Sequence, residues 1–228
     1  MRPTPIILAI LISINGLAQD KKVLIKFSPL SLIDEVSFPT IQGAIELSLA
    51  KKISWHNEFG LKYRKPFNEK TDTNFLSSRG FKAKTEVRYY FKEISSSDFL
   101  RRLEGYYLGV NVYYLRDIHN AATRYYYQQD SSSIKIDNFG IKKTIWGTNL
   151  IIGKQFAVGK SFLIDLYSGT GVRFRDMSEI NKEFDYNRDD LIEPKDVTIE
   201  GFKYKAESKG GGSVLPNLTF GLRLCYGL

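Results

Sequence analysis

FKAKTEVRYYF, residues 81–91, alternates without a break: Phe81, Ala83, Thr85, Val87, Tyr89 and Phe91 share one parity, and Lys82, Lys84, Glu86, Arg88 and Tyr90 the other. A period of two is that of a strand whose successive side chains point to opposite faces, here one apolar and one ionic. The same reading sets Ile41, Ile45, Leu47 and Leu49 against Gln42, Glu46 and Ser48, and Trp55, Phe59, Leu61 and Tyr63 against Ser54, His56, Glu58, Lys62 and Arg64. Further on, Phe162, Ile164, Leu166, Val172 and Phe174 oppose Asp165, Arg173 and Arg175, and Leu218, Phe220, Leu222, Leu224, Tyr226 and Leu228 oppose Arg223. Residues 106–114 and 144–152 fit the template less cleanly.

Segments of this kind predict eight strands, over 22–33, 40–50, 53–65, 80–92, 104–117, 140–157, 160–175 and 213–228. Most reach the roughly 9 to 11 residues that a tilted strand needs to cross hydrocarbon. An even count suits a closed antiparallel up-and-down barrel, so the expected fold is all-β, an eight-stranded transmembrane β-barrel. Composition agrees with one folded unit: of 228 residues 43% are hydrophobic and 14% aromatic, which is too much apolar material for a disordered tail. The single cysteine, Cys225, rules out an internal disulfide.

Residues 1–18 read as a secretory signal peptide, with Arg2, an apolar run over Ile6–Ile14, and Gly16 and Ala18 ahead of Gln19. The apolar run is short of the roughly 20 residues of a spanning helix. Removing this leader takes the net charge from +8 to +7 and leaves residues 19–228 as one domain. Outer-membrane barrels have short periplasmic turns and longer external loops. Ala50–Lys52, Lys92–Leu103 and Ala157–Lys160 then fall on the periplasmic side, and the long loops 66–79, 117–139 and 176–212 outside. Aromatic residues near strand ends, among them Phe91, Tyr106, Tyr114, Phe156, Phe162, Phe174 and Tyr226, mark where interfacial girdles would lie.

The chain resembles the small outer-membrane β-barrels of the OmpA and OmpX type, and more closely the porin-like barrels of Bacteroidota. The C-terminal alternation from Leu218 to Leu228 looks like the signal read by the barrel-assembly machinery, although that signal usually ends in an aromatic residue and this chain ends in Leu228. The resemblance implies an outer-membrane location and an assembly partner, and it carries no reaction.

Alternation alone does not tell inside from outside, and an exported soluble lipocalin-like barrel binding an apolar ligand is the alternative. The mixed charges at mid-strand favour the membrane reading. Glu46, Glu58, Glu86, Arg88, Asp165 and Arg223, together with Lys26, can pair in a narrow lumen and plug it. Lys62, Arg64, Lys82, Lys84, Arg116, Arg173 and Arg175 are expected near the external rim, as a basic mouth for lipopolysaccharide phosphates or as a solvated rim without a ligand. Export and an acidic loop argue against a nucleic-acid partner.

Loop 176–212 holds ten acids against six bases and offers a surface partner an alternating stretch, Val197–Ala206, which would also raise the strand count to ten. Asp185, Asn187, Asp189, Ile192 and Asp196 follow the spacing of a calcium loop, but Asp190 replaces its glycine, so a solvated acidic loop is preferred and no metal site is assigned. Ser54, His56 and Glu58 are the right types for a hydrolase relay on one face of one strand. Same-face residues stand about 7 Å apart along a strand, so an interior histidine beside Glu58 is preferred. With His119 isolated and no Gly-rich phosphate loop, neither catalytic residues nor a cofactor is expected.

Overall fold

A computed structural model describes residues 23–34, 37–63, 79–91, 103–130, 132–159, 161–185, 187–192 and 211–227. The leader, Arg64, nearly all of loop 66–79, and the alternating stretch 197–206 lie outside the described residues. The strands are β1 (Val23–Phe27), β2 (Thr40–Ala50), β3 (Ile53–Lys62), β4 (Arg79–Tyr90), β5 (Gly105–Tyr126), β6 (Ile134–Ala157), β7 (Phe162–Ile180), a two-residue β8 (Asp190–Leu191) and β9 (Gly211–Gly227). Every pairing is antiparallel. The sheet runs β1-β2-β3-β4-β5-β6-β7-β9, and β9 returns to β1, closing a ring of eight strands. No helix among the described residues is long and apolar enough to cross a membrane, a fact silent about crossing by strands.

Two connections at one rim are tight, and the third, expected over Lys92–Leu103, lies almost wholly outside the described residues. Lys51 and Lys52 form the turn between β2 and β3, and Gly159, at φ +101°, supplies the left-handed residue that turns β6 into β7. At the opposite rim the wall is uneven, because β5, β6 and β7 extend well beyond their neighbours. The loop expected over 117–139 is mostly strand: β5 and β6 stay in register from Gly105↔Gln155 to Tyr126↔Ile134, so only the residues around 127–133 turn. Backbone pairing carries this hairpin past Ile118, where alternation in the sequence fades. Likewise Asp176–Ile180, expected in a loop, belong to β7. β8 takes the edge of β5 that β4 has vacated, at Tyr125↔Leu191 and Tyr126↔Asp190.

β1 is the shortest strand of the ring. A strand over 22–33 was expected, but Pro29 has no N–H to donate, and the chain turns at Ser28 into a 3-10 helix, η1 (Pro29–Ile33).

Parity divides the wall into two faces of opposite character. Outward lie Ile45, Trp55, Phe59, Val87, Leu108, Val110, Val112, Ile152, Leu218 and Phe220, all substantially exposed. Inward lie charged residues, closed at the short-turn rim by a cluster of Leu24, Tyr90, Leu103, Tyr107, Ile151, Leu163 and Cys225. Aromatic side chains form two outward rows. Tyr89, Phe91, Tyr106, Phe162 and Tyr226 lie at the short-turn end, with Phe162 against Tyr226 at 5.2 Å. Phe59, Phe81, Tyr114, Trp146 and Phe174 lie towards the other, Trp146 stacked on Phe174 at 4.1 Å. From Trp146 to Phe156 on β6 is ten residues, about 33 Å along the strand.

Candidate functional site

The alternation of β2, β3, β4, β7 and β9 points one ionic residue after another at the same level of the ring. Glu46, Glu58, Glu86, Arg88, Asp165 and Arg223, the six residues singled out from the sequence, are all buried there, joined by Lys26 and Lys84. Asp165 is the hub. Its Oδ2 accepts from Lys26 Nζ at 2.9 Å, Arg88 Nη1 at 3.0 Å and Arg223 Nη1 at 3.3 Å, and its Oδ1 accepts from the Tyr107 hydroxyl at 2.8 Å. Arg88 also donates through Nε to Glu86 at 2.6 Å and through Nη1 to Glu46 at 3.0 Å. Glu58 accepts from Arg223 Nη2 at 2.8 Å and from Lys84 Nζ at 3.2 Å. Lys26 pairs with Glu46 at 2.5 Å.

Four carboxylates thus face four cations, and the network is neutral. Neutrality matters because an isolated charge inside a wall of this kind would carry a desolvation penalty of several kcal/mol. Neutral groups add to the network, Gln155 donating to Glu46 at 3.0 Å and Tyr90 to Glu46 at 2.7 Å, while Glu86 Oε2, Arg88 Nη2 and Arg223 Nε are buried without a hydrogen-bond partner. The guanidinium of Arg88 lies over the Tyr107 ring at 4.3 Å and that of Arg223 over the Tyr167 ring at 3.7 Å. Those two rings lie on glycines of neighbouring strands: a Cβ at Gly153 would run into the Tyr107 ring, and one at Gly221 into that of Tyr167. Side chains fill this level of the ring, as an eight-stranded wall allows.

Residues expected at a basic mouth divide into several groups. Lys62 pairs with Asp117 at 2.6 Å, Lys82 with Asp34 at 2.7 Å, and Lys84 with Glu58. These three therefore form ion pairs instead of an open cationic ring, because β5, η1 and β3 bring carboxylates within reach. Arg173 and Arg175 share the inward parity of Asp165. Arg116 has the parity of Val110, Val112 and Tyr114, and so stands on the outer wall instead of in the mouth.

Ser54, His56 and Glu58 do lie together inside the ring, but not as a relay. The Ser54 hydroxyl donates to Glu46, and His56 Nε2 stands 3.5 Å from Glu58 Oε2. All three are buried. In the loop after β7, Asp189 accepts from Arg188 Nε and Nη2, each at 2.9 Å, and from the backbone N–H groups of Gln128 and Asp185, each at 3.1 Å. Asp185 in turn accepts from the Asn187 N–H at 2.9 Å. The spacing that resembles a calcium loop serves here to fasten residues 183–192 to the β5–β6 hairpin, and Arg188 already neutralises Asp189. Asp137 completes the fastening by accepting from the N–H groups of Glu183 and Phe184, and Phe184 packs edge-on against Tyr125 at 5.3 Å.

Gln155, Tyr90 and Tyr107 belong to the network although charge patterning does not reveal them. Their inward parity is the only signal in the sequence. No family model, curated protein or solved structure matches the chain.

Proposed function

We propose that the protein is an outer-membrane β-barrel of the small OmpA- and OmpX-like kind, with a structural or surface-interaction role and no open pore. One observation carries this reading: the ring is polar inside and apolar outside, the reverse of a soluble ligand-carrying barrel. Exposed apolar side chains lie on every strand of the ring, from Ile25 on β1 to Leu218 on β9, whereas a soluble monomer exposes a limited patch. The spacing of the two aromatic rows is compatible with it: about 33 Å along β6 becomes about 25 Å at the roughly 40° tilt of such barrels, the height of their apolar band. Neutral packing of the interior argues against conduction. Arg116 and Lys142, outward beside the upper aromatic row, are the cations proposed to meet lipopolysaccharide phosphates from the wall side. The outward row of β9 is the proposed contact with the assembly machinery, and the β5–β6 hairpin with its fastened loop is the proposed surface for a partner outside the cell.

Membrane fractionation of the full chain, combined with gel migration before and after boiling, tests the location. A folded barrel in the outer membrane shifts on boiling. Val110→Arg, midway between Tyr106 and Tyr114 on the outer wall, is expected to destabilise the protein by about 2–4 kcal/mol in lipid. A soluble periplasmic protein with no shift, and a Val110→Arg variant as stable as wild type, would overturn the proposal in favour of an exported soluble carrier.

A further inference from the structure

The wall of the ring is incomplete on one side. β1 pairs with β9 only from Phe27↔Leu224 to Leu24↔Gly227. Beyond that, β9 from Gly211 to Arg223 is bonded to β7 on one edge, and among the described residues no strand takes its other edge. Pro216 lies in this stretch, a residue that strands tolerate at edges because it has no N–H to offer. Across the gap, β2 is likewise bare of a strand at Thr40–Gln42, where only Ser28 N–H, on the Gln42 carbonyl at 3.1 Å, and Ser31 Oγ, on that of Thr40 at 2.9 Å, are bonded. The helix η1 stands in the opening. It exposes Leu30 and Ile33, facing the most exposed apolar pair of the wall, Leu218 at 82% and Phe220 at 79%.

Behind this opening is a cavity of about 490 Å³ that runs from Leu30, Leu218 and Phe220 at the wall to the inside of the ring. Its inner end is basic. Lys143 and Arg173 line it, and neither forms an ion pair among the described residues. Arg173 Nε and the Tyr113 hydroxyl are buried without a hydrogen-bond partner. The Tyr113 hydroxyl lies over Gly147, the register partner of Arg173 on β7: a Cβ there would stand 2.9 Å from that hydroxyl and 3.0 Å from the Arg173 Cα. The neutral network below gives these groups no surplus carboxylate.

We infer that the gap between β9 and η1 is a lateral portal, and that the cavity behind it binds an amphiphile with a single anionic headgroup, a carboxylate or a phosphate. Arg173, Lys143 and the Tyr113 hydroxyl hold the headgroup, and the alkyl chain leaves the wall between Leu30 and Phe220. Charge complementarity selects the headgroup, since unpaired buried donors are satisfied only by an acceptor. Apolar jaws select the chain. The side on which the portal opens to lipid rests on the membrane reading, whereas binding in the cavity does not.

The test uses the full chain folded in uncharged maltoside micelles, with heat-dependent gel migration recorded for every variant. Palmitate and dodecyl phosphate are the anionic probes, the first standing for a free fatty acid and the second for a phosphate headgroup, and dodecanol is the uncharged control. Wild type is expected to bind at least one anionic probe more tightly than dodecanol. A Lys143→Gln/Arg173→Gln variant should weaken anionic binding about tenfold or more and leave dodecanol unchanged. Leu30→Asn should weaken both classes several-fold. A heat-modifiable protein that binds all three probes alike, or whose anionic binding survives the double substitution, overturns the inference while leaving the membrane reading intact. Loss of the heat shift in wild type strikes the membrane reading instead.

Discussion

Asp165→Asn isolates charge from hydrogen bonding at the centre of the ring. Asp165 Oδ2 faces three cations, Lys26, Arg88 and Arg223, while Oδ1 faces a hydroxyl that can rotate to accept, Tyr107. An asparagine that turns its oxygen to the cations keeps every hydrogen bond, with its amide donating to Tyr107. Only the negative charge is lost, and the interior is left with one surplus cation. Removing one partner of a buried ionic set costs about 3–5 kcal/mol, and that is the expected loss. Restoring neutrality should recover part of it, so Lys26→Met combined with Asp165→Asn should be less destabilised than the two single variants summed, by about 1–3 kcal/mol. Urea unfolding in uncharged micelles measures both, because the two tryptophans, Trp55 and Trp146, lie exposed on the outer wall and report loss of the apolar surroundings. A single variant within about 1 kcal/mol of wild type, or strictly additive effects, would refute the view that the interior is held by charge balance.

Two further outcomes follow from particular contacts. Gly221→Val should destabilise by about 1–3 kcal/mol, since the added carbons drive Tyr167 off the wall and with it the Arg223 guanidinium. Gly212→Ala, in open space on the same strand, should stay within about 0.5 kcal/mol, and equal effects in urea unfolding would count against the packing argument. At the outer hairpin, the bonds from Arg188, reinforced by the N–H groups of Asp185 and Gln128, hold the Asp189 carboxyl well below the usual carboxylate range. Because its folded value is depressed, the fastening contributes fully above the unfolded value of about 4 and weakens as pH falls below it. The amide resonances of Gln128 and Asp185, followed by NMR from about pH 6 downward, should stay flat through the usual carboxylate range near about 4 and move together only at lower pH in wild type, a movement absent in Asp189→Asn. Movement unchanged in that variant would assign the titration elsewhere.

What the sequence discloses and what it conceals have physical reasons. Strict period-two patterning exists where one face of the wall is ionic and the other apolar, so Glu46, Glu86, Asp165 and Arg223 announce their side of it. Above Ile118 both faces of the β5–β6 hairpin are of mixed character, and the pattern that would mark Ala121–Thr123 as strand is missing although the backbone pairing persists. The end of β1 was readable in Pro29, a residue that strand periodicity ignores. Tyr90 and Tyr107 look like girdle aromatics by type; parity sets them inward, and the structure adds that they donate to Glu46 and Asp165. Ion pairing at the mouth is harder still to foresee, because Asp34 and Asp117 reach Lys82 and Lys62 from elements far along the chain.

Closure of the sheet between Leu24 and Gly227 places the beginning and the end of the described chain side by side at one rim. Connectivity and architecture are therefore separable. A chain spliced from Gly227 to Val23 and cut open between Lys51 and Lys52 would keep every strand pairing, every member of the ionic network and the short β1 that leaves the wall ajar. The order in which these strands are strung is one of several that the same ring would accept.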